Sequence, residues 1–362
     1  MASVNDAHSC KVITSIGALA PYERQWESLN AKMGPEALFT QYAAIRCNWD
    51  RYSNDRGFRL HIFMIFDADE SLVFAAPMLR RYDFLLGTFA FQWLNSKTPL
   101  YDDLLLSPEA DLQTIAARFY DHLHQHLFAR KLKIDCVRDG SALDRILRAL
   151  DIPLLANTSA PVVDISTYAD WDDYLAKKAA KSRQKFHSLQ RHLAKSGGYC
   201  VEHLVDPAEI RSEIGRIFDR KRQWVGEDEG RTDWIVPAEA ENWFQDFCAT
   251  CLQRGEASVL RLTCGQEWVS SVLFFARGDT VFLSKISHNP VWEKWSPGWI
   301  IAMELCNLAI SGGYHKLDLM IGNHAWKKRF TGTKSRISTC RFPLGVGWLG
   351  KKSRQGPCTA PN

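Results

Sequence analysis

Three apolar, β-rich runs follow one another at Ala257 to Thr263, Trp268 to Ala276 and Thr280 to Ser287. Gly265-Gln266 and Gly278-Asp279 join them, and glycine there supplies the tight turns that return each strand on the last. Ser296-Pro297-Gly298 then opens a helix that ends at Gly312-Gly313. His315 to Met320 reads as a strand, His324 to Phe330 as a short helix and Arg336 to Phe342 as a last strand. Ahead of the runs come a strand (Tyr199 to Val205), a helix opened by Asp206-Pro207 and another opened by Pro237. The order β-α-α-β-β-β-α-β-α-β predicts an α+β fold, a sheet with helices inserted at fixed points.

The half that precedes this region is also mixed. Phe58 to Phe66 and Leu72 to Leu79 are two β-rich runs with a hairpin turn at Asp67 to Glu70. Pro21 to Asn30, Pro35 to Trp49, Asp111 to Ala129 and Asp144 to Leu150 have helical character, and Lys131 to Val137 reads as a strand. Pro153, Asn157, Thr158, Ser159 and Pro161 mark a boundary. Residues 1–160 and 161–345 are thus two expected domains, and 346–362 a basic flexible tail. Each half has helices followed by a β-hairpin, although the sequence carries no repeat strong enough to prove kinship.

The second half opens with a helix that Asp170 can cap. Leu175, Ala179, Ser182, Phe186, Leu189 and Leu193 form its apolar stripe, with lysines and arginines around the rest as far as Lys195. The 45 basic and 41 acidic residues leave a net charge of only +4 in 362 residues. That is too small to make nucleic acid the expected main partner. The basic residues cluster at 177–195, 326–336 and beyond Lys351, which suits anionic small molecules. Ten scattered cysteines include one C-x-x-C, Cys248 and Cys251, inside an amphipathic segment. Without a second ligand pair this predicts core packing, and no metal is expected. Free thiols and no apolar leader or transmembrane run predict a cytoplasmic protein.

A strand, a loop and a helix start bearing a small residue are what a pyrophosphate needs, because first-turn amides are unpaired and lie at the positive end of the helix dipole. Ser-Pro-Gly is equally a good helix start and nothing more. Three stretches together decide between these: LAKKAAKSRQKFHSLQRHL, WSPGWIIAMELCNLAISGG and KLDLMIGNHAWKKRF. In that order over roughly 170–345 they resemble the acetyltransferases named for cellulose biosynthesis proteins of the CelD/BcsL type. That family lies within the GNAT superfamily and is related to FemAB-type peptidyltransferases. Its last motif is usually D-F-x-x-G-x-x-x-Y-K. Asp318, Gly322 and Lys327 match it, Leu319 replaces the Phe and Trp326 the Tyr.

The resemblance implies two tandem GNAT-like domains, the first degenerate, and an acyl-CoA, most simply acetyl-CoA, as co-substrate. It places CoA where the strands at 280–287 and 315–320 splay apart. Pantetheine would pair along Ser284, Lys285, Ile286 and Ser287. The pyrophosphate would sit on Trp295, Ser296, Pro297, Gly298 and Trp299. An amine or hydroxyl of a small or saccharide acceptor would attack directly, in exopolysaccharide or envelope biosynthesis.

His288 is either a general base or a loop histidine bonded to backbone. Asp318 either serves the acceptor, as ligand or base, or pairs with Lys327 or Arg329. Lys327 either meets a CoA phosphate or the acceptor, or is a solvated lysine. Arg183 on the basic helix, Trp224 and Trp326 are candidate acceptor contacts, with packing as the alternative for each tryptophan. An indole cannot protonate a thiolate as a tyrosine could. Two rivals remain: a FemAB-like transferase using aminoacyl-tRNA, and a GNAT-like module that binds without catalysis. The acceptor and the oligomeric state are left open.

Overall fold

The computed structural model describes residues 8–97, 100–226, 237–322, 324–330 and 332–344. The tail expected at 346–362 lies outside them. In chain order the first elements are β1 (Ser9–Ile13), α1 (Ile16–Leu19), α2 (Glu23–Ala31), α3 (Tyr42–Asp50), β2 (Phe58–Phe66), β3 (Leu72–Asp83), β4 (Thr88–Trp93), β5 (Leu105–Leu106), α4 (Leu112–His124), β6 (Ala129–Arg138) and α5 (Ala142–Ala149). There follow β7 (Leu155–Asp164), α6 (Trp171–Ala176), α7 (Ala180–Ser196), β8 (Cys200–Leu204), α8 (Pro207–Gly226), α9 (Ala238–Leu252), β9 (Ala257–Cys264), β10 (Glu267–Arg277), β11 (Thr280–His288), α10 (Pro297–Ser311), β12 (Lys316–Asp318) and β13 (Thr333–Pro343). The chain forms two compact units, one of residues up to 157 together with those from 337, the other of 158–336.

In the first unit the strand order is β1-β2-β3-β4-β6-β13, with β5 on β3. Every neighbouring pair is antiparallel except β4 with β6, which is parallel. Strand β2 is apolar at consecutive positions because both its faces are covered. Phe63 and Ile65 join a core with α4 and α5, whereas Ile62, Met64 and Phe66 join another with α2 and α3. In the second unit the order is β7-β12-β11-β10-β9-β8. Only β11 with β12 is parallel there. Phe186, Leu189 and Leu193 of α7 and the apolar faces of α6 and α10 cover one side of this sheet. Phe247 of α9 packs on Phe275 on the other, 5.3 Å between ring centroids. Cys248 and Cys251 are buried in α9, as core residues.

The two units repeat one plan: a strand, helices, three antiparallel strands, a helix and a strand parallel to the third. Each is a mixed sheet flanked by helices. Each unit then closes on an antiparallel strand beside its parallel pair. In the second unit Val162 to Asp164 of β7, which precede all its helices, pair with β12. In the first, Ile337 to Pro343 of β13, which come after the whole second unit in sequence, pair with β6. The strand expected to finish a domain at 161–345 therefore completes the first unit's sheet.

Two other local expectations differ from the structure. The helix expected from Asp170 is two helices, α6 and α7, broken at residues 177–179. Asp170 caps only the first, accepting from the Asp173 amide at 2.8 Å. Residues 35–49 are a 3₁₀ segment (Pro35–Thr40) followed by α3, because Pro35 suits a helix start but Gln41 is extended (ψ 152°).

One group in the first unit has the look of a metal site: His61, His122 and His126 bring ligating atoms within 4.8 Å of one another. A guanidinium nitrogen of Arg80 lies 3.3 Å from Nε2 of His126, where its charge opposes a divalent cation. His61 and His122 instead share one proton between their Nε2 atoms, 2.7 Å apart, and His122 stacks on Phe63 at 3.9 Å. Burial pushes the His61 pKa down to about 2 and that of His122 to about 3, with Arg80 adding to both shifts. Both rings are near 6.5 in the unfolded chain, so below that pH the unfolded state binds more protons and the fold loses stability. Burial raises Asp102 and Asp103 to about 7, which acts in the opposite sense. A His122→Phe variant isolates the histidine part: its melting temperature should fall less than the wild type's between pH 6.5 and 4.5. Parallel curves would show that His122 is already protonated in the fold.

Candidate functional site

Strands β11 and β12 pair over only three residues, Thr280 to Phe282 with Lys316 to Asp318. Beyond Phe282, β11 continues for six residues to His288. The chain leaving β12 turns onto β7 instead, the Leu319 amide donating to Pro161 O at 2.9 Å and the Gly322 amide to Ser159 O at 3.0 Å. The parting is built from the motif at 318–327. Asp318 is fully buried, and its carboxylate accepts from the Met320 amide at 2.7 Å, holding Met320 at a φ of 59°. The Lys327 ammonium donates to Met320 O and Ile321 O, each at 3.0 Å. Gly322 has a φ of 116°, a conformation that side chains rarely adopt. Burial lowers the Lys327 pKa to about 8, with Asp318 opposing the shift. Lys327 is therefore not the solvated lysine that its run of basic neighbours suggested.

The corresponding crevice of the first unit is shut. There the parallel pair β4 and β6 is bonded from Phe89 to Gln92, nearly all of β4. Among the described strands, the early parting of the parallel pair is a feature of the second unit.

Along β11, Leu273 pairs with Lys285 and Phe274 with Leu283, which leaves Ser284 as the extra residue of a β-bulge. Its hydroxyl is buried without a hydrogen-bond partner. Ser287 lies buried opposite Ser271, whose hydroxyl donates to the buried Glu213 carboxylate. The Lys285 ammonium lies 4.9 Å from the ring of Phe244 on α9. Ile286 and His288 face α10. A Cβ placed on Gly298 would lie 3.3 Å from Ile286 and 3.8 Å from the His288 ring. Glycine at 298 thus lets the helix approach β11, a reason the sequence did not suggest. Burial lowers the His288 pKa below 6.5, with Arg220 and Lys221 adding to the shift and Glu293 opposing it.

The start of α10 differs from expectation. Ser296 ends a 3₁₀ turn (Pro290–Trp295) in the left-handed region, and its hydroxyl makes no cap to the backbone. Its amide donates to Glu293 O at 2.9 Å, and the Trp299 amide donates to Ser296 O at 3.0 Å. Gly298 keeps an amide for which the described hydrogen bonds give no partner. What the helix lacks in free amides, side chains supply in charge. The Lys185 ammonium donates to Ser296 Oγ at 3.2 Å. The pKa of Lys185 is lowered by burial and then by Arg329 and Lys181. The Arg329 guanidinium lies 5.2 Å from the ring of Trp299, whose indole N–H is buried and unpartnered. Three like charges near the positive end of a helix are surroundings that suit an anion. Sequence spacing shows Lys185 only as one of many basic residues on α7, and nothing links Arg329 to it before the fold does.

The other candidates scatter. Trp295 stacks on His192 of α7 at 3.6 Å. The carbonyl of Pro297 accepts from Ser270 at 3.3 Å. Arg183 donates to Ala176 O and Lys178 O, satisfying carbonyls freed by the break between α6 and α7, and lines an open groove with His187 and Arg191. Trp224 is exposed in the last turn of α8, and Trp326 packs on Phe330, 6.1 Å between centroids.

Residues 180–328 match the family model described as an acetyltransferase (GNAT) domain. A search of curated proteins finds no match. Among solved structures, FemX is similar with a TM-score of 0.62 at 11% identity, over 96% of this chain and 99% of that one. L-PGS from Bacillus licheniformis gives 0.54 at 10%, over 90% and 94%. A conserved protein of unknown function from Bacteroides thetaiotaomicron gives 0.56 at 10%, over 89% and 97%. At these identities the likeness is one of fold. The match to a GNAT acetyltransferase domain lies within the second unit.

Replacing Lys327 with Ala should cost about 3 kcal/mol, since two carbonyls and Asp318 lose a buried cation. In the fold Lys327 sheds its proton near pH 8 but in the unfolded chain near 10.5. Between those values the unfolded chain holds a proton that the fold has released, so the wild type gains stability relative to the variant as pH rises across that window. Denaturant unfolding at pH 7.5 and 10 measures both, and coincident midpoints would exclude the clamp.

Proposed function

We propose that the chain transfers an acyl group from acyl-CoA, in the simplest case acetyl-CoA, directly to an amine or hydroxyl of an acceptor. The observation that carries this is the end of the β11–β12 pairing at Phe282, beyond which β11 runs six residues further toward the start of α10. An exposed strand edge offers alternating amides and carbonyls, the partners that an extended chain of amides such as pantetheine requires. The Ser284 hydroxyl lies on that stretch with capacity to spare. The phosphates would meet Ser296 and Gly298, with Lys185 and Arg329 supplying charge. Acyl-CoA brings an activated thioester, and the β11 amides near the bulge would hold the charge that develops on its carbonyl oxygen.

His288, neutral at pH 7, is placed to accept the proton of an attacking amine or hydroxyl. Asp318 and Lys327 act on the reaction by keeping the crevice open. The motif resemblance supports an acceptor of the saccharide or envelope type and N- or O-acetylation like that of CelD/BcsL proteins. A second reading, aminoacyl transfer from tRNA, draws support from the basic face of α7 and from a FemX-like fold over the whole chain. Replacement of the family's Tyr by Trp326 favours binding without turnover.

Calorimetry with acetyl-CoA should show one site on the intact chain, weakened about tenfold or more in a Lys185→Ala, Arg329→Ala double variant. Tight binding of charged tRNA without binding of acetyl-CoA would replace this reading with the second. If His288 is the base, the acid limb of kcat/KM should lie below pH 6.5 and vanish in His288→Gln. An unchanged limb would return His288 to its packing against α10.

A further inference from the structure

Five large apolar side chains stand exposed at one end of the first unit. Phe84, Leu85 and Leu86 form the tip of the β3–β4 hairpin, 70%, 98% and 57% exposed. Leu127 and Phe128, in the connection from α4 to β6, are 83% and 67% exposed. The two groups are neighbours, because the Phe89 amide at the base of the hairpin donates to Phe128 O at 3.1 Å. The ring of Tyr82 stacks on Phe84, 5.9 Å between centroids, which stiffens the tip.

A hairpin turn ordinarily carries polar residues, and water-facing apolar clusters mark a surface that something else covers. The charges around the cluster indicate what. Arg56, Arg59, Arg81, Arg130 and Lys131 are exposed on the adjoining strands and turns, against Asp55 and Asp83. Arg81 lies across the ladder from Phe58, and Lys131 pairs with Ala90 of β4. An apolar finger inside a basic collar is complementary to an anionic bilayer, whose phosphates lie just above its acyl chains. A second copy of the same surface would set collar against collar. No described helix is long and apolar enough to cross a membrane, so the contact would be made at the surface.

We infer that the β3–β4 hairpin tip and the Leu127–Phe128 turn insert into an anionic lipid surface and hold the protein there. The contact is independent of the acyl-transfer site. Its test is co-sedimentation of the intact protein with vesicles of phosphatidylcholine, with and without phosphatidylglycerol. Binding should be about tenfold stronger to the mixed vesicles and should weaken with added salt. A Phe84→Ser, Leu85→Asp variant should lose binding to both while keeping the wild-type melting temperature, since neither side chain is packed in a core. An Arg81→Glu, Arg130→Glu variant should lose only the preference for phosphatidylglycerol.

Wild-type protein that stays in the supernatant with both vesicles overturns the proposal. So does binding that survives the Phe84 and Leu85 changes. A concentration-dependent dimer that Leu85→Asp abolishes would assign the patch to a second copy and equally overturn it.

Discussion

A buried ammonium resting on two carbonyls holds the second sheet open. Lys327 fixes Met320 and Ile321, Asp318 fixes the Met320 amide, and the chain is carried off β11 onto β7. Burying those charges is costly, as the depressed lysine pKa records. The return is a length of β11 that runs on past its parallel partner. The motif thus acts through geometry: the site depends on residues that need not touch a substrate.

The first unit serves as an internal control. It has the same order of elements and the same parallel pair, yet β4 and β6 are bonded along nearly all of β4. Its core positions are filled by aromatic rings and by a neutral histidine pair instead of a ligand edge. One plan, used twice, yields a closed body and an open one, and the difference lies in the segment after the last parallel strand.

Much of this was legible in the chain. The series β9, β10 and β11 was marked by apolar, β-rich runs and glycine turns, and α10 by Ser-Pro-Gly and a glycine stop. The motif residues Asp318, Gly322 and Lys327 could be picked out, but their mode of action could not, because a lysine's direction is set by the carbonyls that tertiary structure brings to it. The basic charge of α7 was equally plain, whereas the meeting of Lys185 with Arg329 required the fold, since 144 positions separate them. Ser284 was expected on the binding strand, but a bulge is a property of a strand pair and not of either strand. The sequence does not set the apolar run Phe84 to Leu86 apart, and only its exposure in the fold does so. The break between α6 and α7 was hidden because Ala179 and Ser182 continue a helical stripe that the backbone itself abandons.

The placement of β13 bears on how the molecule is made. The N-terminal sheet is finished by a strand encoded after the entire second unit, so the first half of the chain does not contain all of its own sheet. During synthesis that sheet would wait, with the edge of β6 bare, until residues 337–343 have left the ribosome. Dividing this chain at its apparent boundary would yield a first fragment whose β6 edge is uncapped. The long loop closure between β6 and its partner makes the last stage of folding a slow, non-local one.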